Sequence, residues 1–212
     1  MWERYRRGGM FHVKHHEVVH WVSPARIHEV LLACGVSASE EQCSLLARHA
    51  ELVHRANESV NLTRITEPEA MIQLHIADSL AFLPYSQVPP GNVVDIGSGA
   101  GYPGIPLAIL GQTMSLCESV KKKATFLGVC VQELELAVKV WPLRAEELAA
   151  ENPSAASCVI ARAVSALPSL VELASPLLLS GGRLIALKGP LTAEELTAGR
   201  AAAGLCGMRF VS

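Results

Sequence analysis

The chain has 212 residues, half of them apolar and 18% charged, with a formal net charge of −2. That is enough apolar material for one sizeable domain with an appendage. The charge balance excludes a protein that is basic all over but leaves room for a local basic patch.

No apolar stretch reaches the roughly 18 residues of a membrane-spanning helix. The basic start Met1-Trp2-Glu3-Arg4-Tyr5-Arg6-Arg7 is not followed by the apolar segment of a secretory leader. Met10 is a second candidate start. The six cysteines form no CxxC pair, and several fall in apolar runs. They read as small buried hydrophobes in a reducing compartment rather than a disulfide framework.

Residues 1–22 show no helical period and read as a flexible, basic arm rich in histidine. His12, His15, His16 and His20 are expected to be solvated side chains near anionic partners rather than a metal site. A helical region, 23–90, follows. Ser23-Pro24 is an N-cap followed by proline at the first helical position, and its helix should end at Gly35. Ser39 caps a second helix with the apolar stripe Cys43, Leu45, Leu46, Ala50 and Val53. Asn57 to Thr66 reads as a polar connector. A third helix begins near Pro68 and carries Met71, Ile72, Leu74, His75, Asp78 and Leu80. Tyr85 to Gly91 reads as a linker.

From Asn92 the pattern becomes short apolar strands alternating with helices. Strands are expected at 92–96, 113–117, 138–141, 157–161 and 182–187. Helices are expected near 103–110, 120–136, 144–151, 167–179 and 192–203, and a further strand at 208–211. Such alternation predicts an α/β fold with a mostly parallel sheet covered on both faces, over 91–212.

The most informative segment is Val93-Val94-Asp95-Ile96-Gly97-Ser98-Gly99-Ala100-Gly101-Tyr102-Pro103-Gly104. A buried strand ends in an acid and breaks into a glycine-rich turn, the usual seat of a ligand at the carboxyl end of a parallel strand. Gly99 to Gly104 matches GxGxxG, a weak dinucleotide signature. Asp95 to Gly101 matches the acid-x-GxGxG turn of S-adenosylmethionine (SAM) methyltransferases. A pyrophosphate needs free N–H groups at the helix start, and Pro103 and Pro106 remove donors there. SAM has no phosphate, and its ammonium favours a carboxylate such as Asp95. The local motif therefore favours SAM.

Glu118, at the end of the next strand, can accept both ribose hydroxyls of an adenosine, of SAM or of NAD. Ala145 (backbone) and Glu146 can meet the adenine edge. Arg162 directly follows a buried strand on the ligand edge, where it can contact the SAM carboxylate, an RNA phosphate or a guanine O6. Lys188 is a second cation on that edge. Lys121, Lys122, Lys123 and Arg144, with Lys188, can grip a phosphate backbone.

Several pieces together carry a more specific likeness: Asn61-Leu62-Thr63, His75-Ile76-Ala77-Asp78-Ser79-Leu80, Asp95 to Leu107, Arg144-Ala145-Glu146-Glu147, Ala161-Arg162-Ala163 and Ala186-Leu187-Lys188-Gly189. In these the chain resembles the rRNA small subunit methyltransferase G family, also called glucose-inhibited division protein B, over roughly residues 40–211. The resemblance implies a Rossmann-like SAM-dependent methyltransferase with an N-terminal helical extension. It implies methyl transfer to N7 of one guanine in 16S (small-subunit) rRNA, in the cytoplasm, with rRNA or the small ribosomal subunit as partner. No membrane, obligate protein partner or metal is expected. By resemblance the cofactor meets Gly97, Tyr102, Glu118, Ser119, Val120, Ala145, Glu146 and Arg162, beside Asp95, Gly99 and Gly101 of the turn. Arg162 and Lys188 are the expected catalytic residues. Family members usually continue into a C-terminal β-hairpin; this chain stops at Ser212, so the hairpin is expected to be missing. The competing readings are a SAM methyltransferase for another substrate, a NAD-dependent oxidoreductase, and a non-catalytic SAM- or RNA-binding module.

Overall fold

The computed structural model describes residues 21–83, 91–162 and 164–211. Residues 1–20 of the histidine-rich arm and most of the linker expected at 85–91 lie outside this set. Trp21 and Val22, placed in the arm by sequence, already belong to the folded body. Trp21 stacks on His54 with ring centroids 4.1 Å apart, and Val22 is buried.

Helix α1 spans Pro24–Ala33, with the Ser23 hydroxyl accepting from Arg26 N and Gly35 beyond its end at φ +75°. Helix α2 spans Glu40–Val60. Ser39 and Gln42 cap each other reciprocally, and the helix runs four residues into the expected connector before Asn61 ends it in the left-handed region. The third helix is not uniform. It starts as α3 (Pro68–Met71), widens into π-helical geometry over Ile72–Ala77 and closes as α4 (Asp78–Leu80).

Five strands follow: β1 (Val93–Ile96), β2 (Met114–Cys117), β3 (Lys139–Trp141), β4 (Ala156–Arg162) and β5 (Leu178–Leu187). They alternate with α5 (Gly104–Ile109), α6 (Lys121–Glu133), α7 (Ala145–Glu151), α8 (Leu167–Ala174) and α9 (Ala193–Leu205). All pairings are parallel and the order is β3-β2-β1-β4-β5. The order reverses between β1 and β4, which puts the ligand crevice of such a sheet outside their carboxyl ends.

Side chains alternate between the two faces of each strand. One face carries Val93, Met114, Leu116, Cys158 and Ile160 into a core shared with α1, α2, the 68–80 helix, α5 and α6. The opposite face carries Val94, Ile96, Cys117, Val159 and Ala161 against α7 and α8. The helical region and the first face of the sheet thus share one hydrophobic core.

Three expectations are corrected. The helix expected over 167–179 ends at Ala174 and gives way to a 3₁₀ turn at Ser175–Leu177, because Pro176 cannot continue the α ladder. Strand β5 consequently begins at Leu178 rather than 182. The strand expected at 208–211 does not form: Met208 and Phe210 instead pack on the α8–α9 pair. The cysteines form no disulfide. Cys43, Cys117, Cys130 and Cys158 are buried as expected, but Cys34 is exposed and Cys206 half-buried. Among the described residues no helix is long and apolar enough to cross a membrane.

Candidate functional site

The glycine turn leaves β1 at the switch point. Gly97, Gly99 and Gly101 all have positive φ (69°, 57° and 92°), a conformation that costs L side chains energy. Gly97 N and Ser98 N donate to Cys117 O, which ties the turn to the end of β2. Gly104 is required for close approach: a Cβ there would lie 2.3 Å from Leu116 Cδ2 and 2.7 Å from Asp95 Oδ2.

Asp95 is fully buried. Its Oδ2 accepts from Gly104 N at 3.1 Å, while Oδ1 has no hydrogen-bond partner. Burial pushes its carboxyl up to about 7, against the opposing pull of the Gly104 N–H. Glu118 is also buried and ties two segments together, accepting from Gly99 N at 2.9 Å and from Val120 N at 2.7 Å. A carboxylate has about four acceptor sites, so two remain for ligand hydroxyls. Ser119 and Val120 are exposed beside it. Ala145, half-buried, and Glu146, exposed, open α7 after β3.

The start of α5 offers no anion seat. Pro103 and Pro106 have no N–H, Gly104 N is taken by Asp95, and Ile105 N donates to Gly101 O. A pyrophosphate would find no free backbone donor there. The site does fit SAM: an unpartnered buried acceptor at Asp95, spare acceptor sites on Glu118 for ribose hydroxyls, and a cation on the same edge for a carboxylate.

That cation is Arg162. Asp95 lies in register with Leu116 and Ile160, so alternation sends Arg162 to the face that carries Asp95. There it meets the 68–80 helix. Nη1 donates to Leu74 O and to Asp78 Oδ2, both at 3.0 Å, and Nη2 lies 2.8 Å from His75 Nδ1. The π geometry explains the first contact. The N–H of Asp78 goes to Gln73 O and His75 O rather than to Leu74 O, as an α-helix would require, and the Leu74 carbonyl receives Arg162. Such π insertions recur at functional sites.

Tyr102 was expected at the cofactor. Its phenol instead lies inside the core, with Oη donating to Met71 Sδ at 3.3 Å. Its ring stacks on His75 (4.5 Å, 6°) and leans on His49 (4.5 Å, 41°); only its backbone is left for a ligand. His49 is fully buried and its Nε2 donates to Ala100 O at 3.0 Å, bracing the turn from α2. Burial lowers both imidazoles, His49 to about 3 and His75 to about 4, the latter with help from the Arg162 charge. His49 and the Leu74 carbonyl were not marked by sequence, and Thr63 was marked only as part of the resemblance. A backbone acceptor leaves no sequence signal, and His49 looked like one more position on an apolar helix.

Lys188 behaves differently. Its ammonium donates to Ser165 O at 2.7 Å and to Glu195 Oε1 at 2.5 Å. Glu195 also accepts from Leu167 N at 2.9 Å, so Lys188 joins the α8 and α9 starts rather than standing open beside Arg162. Lys121 and Lys122 are exposed and Lys123 half-buried at the start of α6; Arg144 is exposed before α7, its N–H donating to Glu147 at 2.8 Å.

The model of the rRNA small subunit methyltransferase G family matches residues 42–212. The chain belongs to that family. It is 42% identical over 187 residues to ribosomal RNA small subunit methyltransferase G of Deinococcus radiodurans, covering 85% of this chain and 72% of that one. It is 39% identical over 191 residues to the protein of the same name from Carboxydothermus hydrogenoformans, covering 88% of this chain and 81% of that one. In structure it is similar to precorrin-6y C5,15-methyltransferase from Geobacter metallireducens: TM-score 0.50, 17% identity, covering 74% of this chain and 80% of that chain. The fold is thus the Rossmann-like one of SAM-dependent methyltransferases, and this family member is a methyltransferase.

Proposed function

We propose that this chain transfers a methyl group from SAM to N7 of a guanine in small-subunit rRNA, acting in the cytoplasm on rRNA or the small ribosomal subunit. The observation that carries this reading is the gathering of Asp95, Glu118 and Arg162 on one face of the sheet edge, at a glycine turn whose helix has no free donor for a pyrophosphate.

Glu118 accepts the ribose hydroxyls, with Ser119 and Val120 beside them. Asp95, with Gly97, Gly99, Gly101 and the Tyr102 backbone, takes the amino-acid end. Ala145 and Glu146 border the adenine. When bound, SAM supplies an electrophilic methyl on a sulfonium. Guanine N7 has an in-plane lone pair and no proton to lose, so the chain needs no general base. Its task is to align donor and acceptor and to complement charge. Arg162, anchored on one side by residues 74–78, holds the guanine or the cofactor carboxylate with its remaining N–H groups. Lys121, Lys122, Lys123 and Arg144 contact phosphates. The Glu195 partner supports a structural role for Lys188 in place of a catalytic one.

The test is methyl transfer from labelled SAM to small-subunit particles and to deproteinised small-subunit rRNA, with the product mapped by N7-methylguanine cleavage. A single N7-methylguanine in the rRNA is expected. Transfer only to a protein or a small molecule overturns the RNA reading. Tight SAM binding without transfer to any of these points to a binding module, and preference for NAD over SAM in titration removes the cofactor assignment.

A further inference from the structure

Thr63 and His75 reach Arg162 through a chain of hydrogen bonds, and their geometry bears on that arginine. A guanidinium has five N–H groups and no acceptor. The contact between Arg162 Nη2 and His75 Nδ1 at 2.8 Å therefore needs a bare Nδ1. The imidazole proton then sits on Nε2, and it donates to Thr63 Oγ1 at 2.8 Å. The Thr63 hydroxyl also accepts from Ile65 N at 3.0 Å, so that N–H and the imidazole N–H together fill its two acceptor lone pairs. Thr63 is in turn fixed by Asn57, whose Oδ1 accepts from Leu62 N and Thr63 N (2.7 and 2.9 Å) and whose Nδ2 donates to Thr63 O at 2.9 Å. The flat stack on Tyr102 sets the ring plane. A relay thus runs from Asn57 through Thr63 and His75 to Arg162.

The relay decides what Arg162 can offer. Leu74 O and Asp78 take both Nη1 donors, and His75 takes one on Nη2. Among the described residues, Nε–H and the second Nη2–H have no partner. We propose that His75 is a positioning residue: as a neutral imidazole with its proton on Nε2, it holds the Arg162 guanidinium in the orientation that leaves these two donors for the substrate or cofactor. This rests on the role given to Arg162 under the proposed function.

The test combines a tautomer measurement with a variant series. In the wild-type protein at pH 7, nitrogen-15 chemical shifts of His75 should show a protonated Nε2 and a bare Nδ1. A protonated Nδ1 overturns the inference without any mutation. His75→Asn puts an oxygen near the Nδ1 position, whereas His75→Phe keeps the ring stack and has no acceptor. His75→Phe should lower kcat for rRNA methylation about 30- to 100-fold, the scale of a misplaced catalytic contact, while the melting temperature changes little. His75→Asn should recover most of kcat. Equal turnover by the two variants overturns the inference. Should His75→Phe fail to fold, Thr63→Val supplies the kinetic arm: it removes the acceptor of Nε2–H and should lower kcat several-fold, and wild-type turnover by it overturns the inference. Arg162→Ala separates the two levels. If it is crippled while the position-75 variants turn over normally, the role of Arg162 stands and that of His75 falls. If Arg162→Ala turns over normally, both fall.

Discussion

Arg162 and Lys188 leave adjacent parallel strands at the same edge of the sheet, and from sequence they look like one pair of cations. They are not equivalent. Arg162 lies in register with Leu187, so Lys188 is one step further along and belongs to the other face. A shift of one residue in a strand reverses the side a group faces. Arg162 enters the face that holds Asp95, Glu118 and the 68–80 helix, and finds acceptors 84 to 88 residues away in sequence. Lys188 enters the α8–α9 side and finds Ser165 and Glu195, the latter seven residues away. Two cations of similar side-chain exposure, 17% and 18%, thus serve different ends. Where a charge sits on a sheet edge says less than which face its register gives it.

The largest expected effect tests the titrating groups gathered on the Arg162 face. His49 and His75 are held neutral, at about 3 and 4 against an ordinary 6.5, so as pH falls from 6.5 towards 4.5 the unfolded chain comes to bind two more protons than the folded one. Asp95, at about 7 against 3.8, keeps its proton in the folded state and contributes with opposite sign over the same window. The net is one proton favouring the unfolded chain. Stability should therefore fall on acidification by up to about 1.4 kcal/mol per pH unit, or about 2 kcal/mol from pH 6.5 to 4.5. Urea titrations across this range check the slope. Asp95→Asn should steepen it towards two protons' worth; an unchanged slope would mean that Asp95 ionises freely and is not part of this buried face.

Next is Arg162→Ala, expected to cut methyl transfer about 100-fold, the scale of losing a positioned charge at a reacting centre, with kcat and KM measured on small-subunit particles. Glu118→Ala should weaken SAM binding about 10-fold by calorimetry, because it removes the ribose acceptor, a charge-assisted contact; unchanged affinity would move the adenosine elsewhere. The smallest functional effect is expected of Lys188→Ala. Transfer should stay within about threefold of wild type while urea unfolding shows a small loss of stability from the pair with Glu195. A loss of transfer as large as that of Arg162→Ala would erase the distinction between the two faces.

Much of the sheet was legible because its signals are local. The apolar strands, Asp95 and the glycine turn lie within a dozen residues, and the Ser23 and Ser39 caps act within three. The N-terminal helix ends at its glycine for the same reason. Other features were not legible. Pro176 in an apolar run hid the change from helix α8 to strand β5. The apolar alternation of 208–211 suggested a strand, but those side chains found helices to pack on. Tyr102 sits in a turn that looked ligand-facing, yet its ring is large and apolar and two histidines and Met71 provide an interior place for it.

The sequence by itself determined the α/β alternation, the glycine turn with its acid, the absence of a pyrophosphate seat at α5 and the family resemblance. These depend on φ preferences, missing N–H groups and short-range spacing, all properties of neighbouring residues. Only the tertiary structure decided which face each strand-end charge enters, that the 68–80 helix opens a carbonyl by π geometry, and that Asn57, Thr63 and His75 stand behind Arg162. Those outcomes depend on strand register and on packing between segments more than 80 residues apart, and no local pattern encodes them.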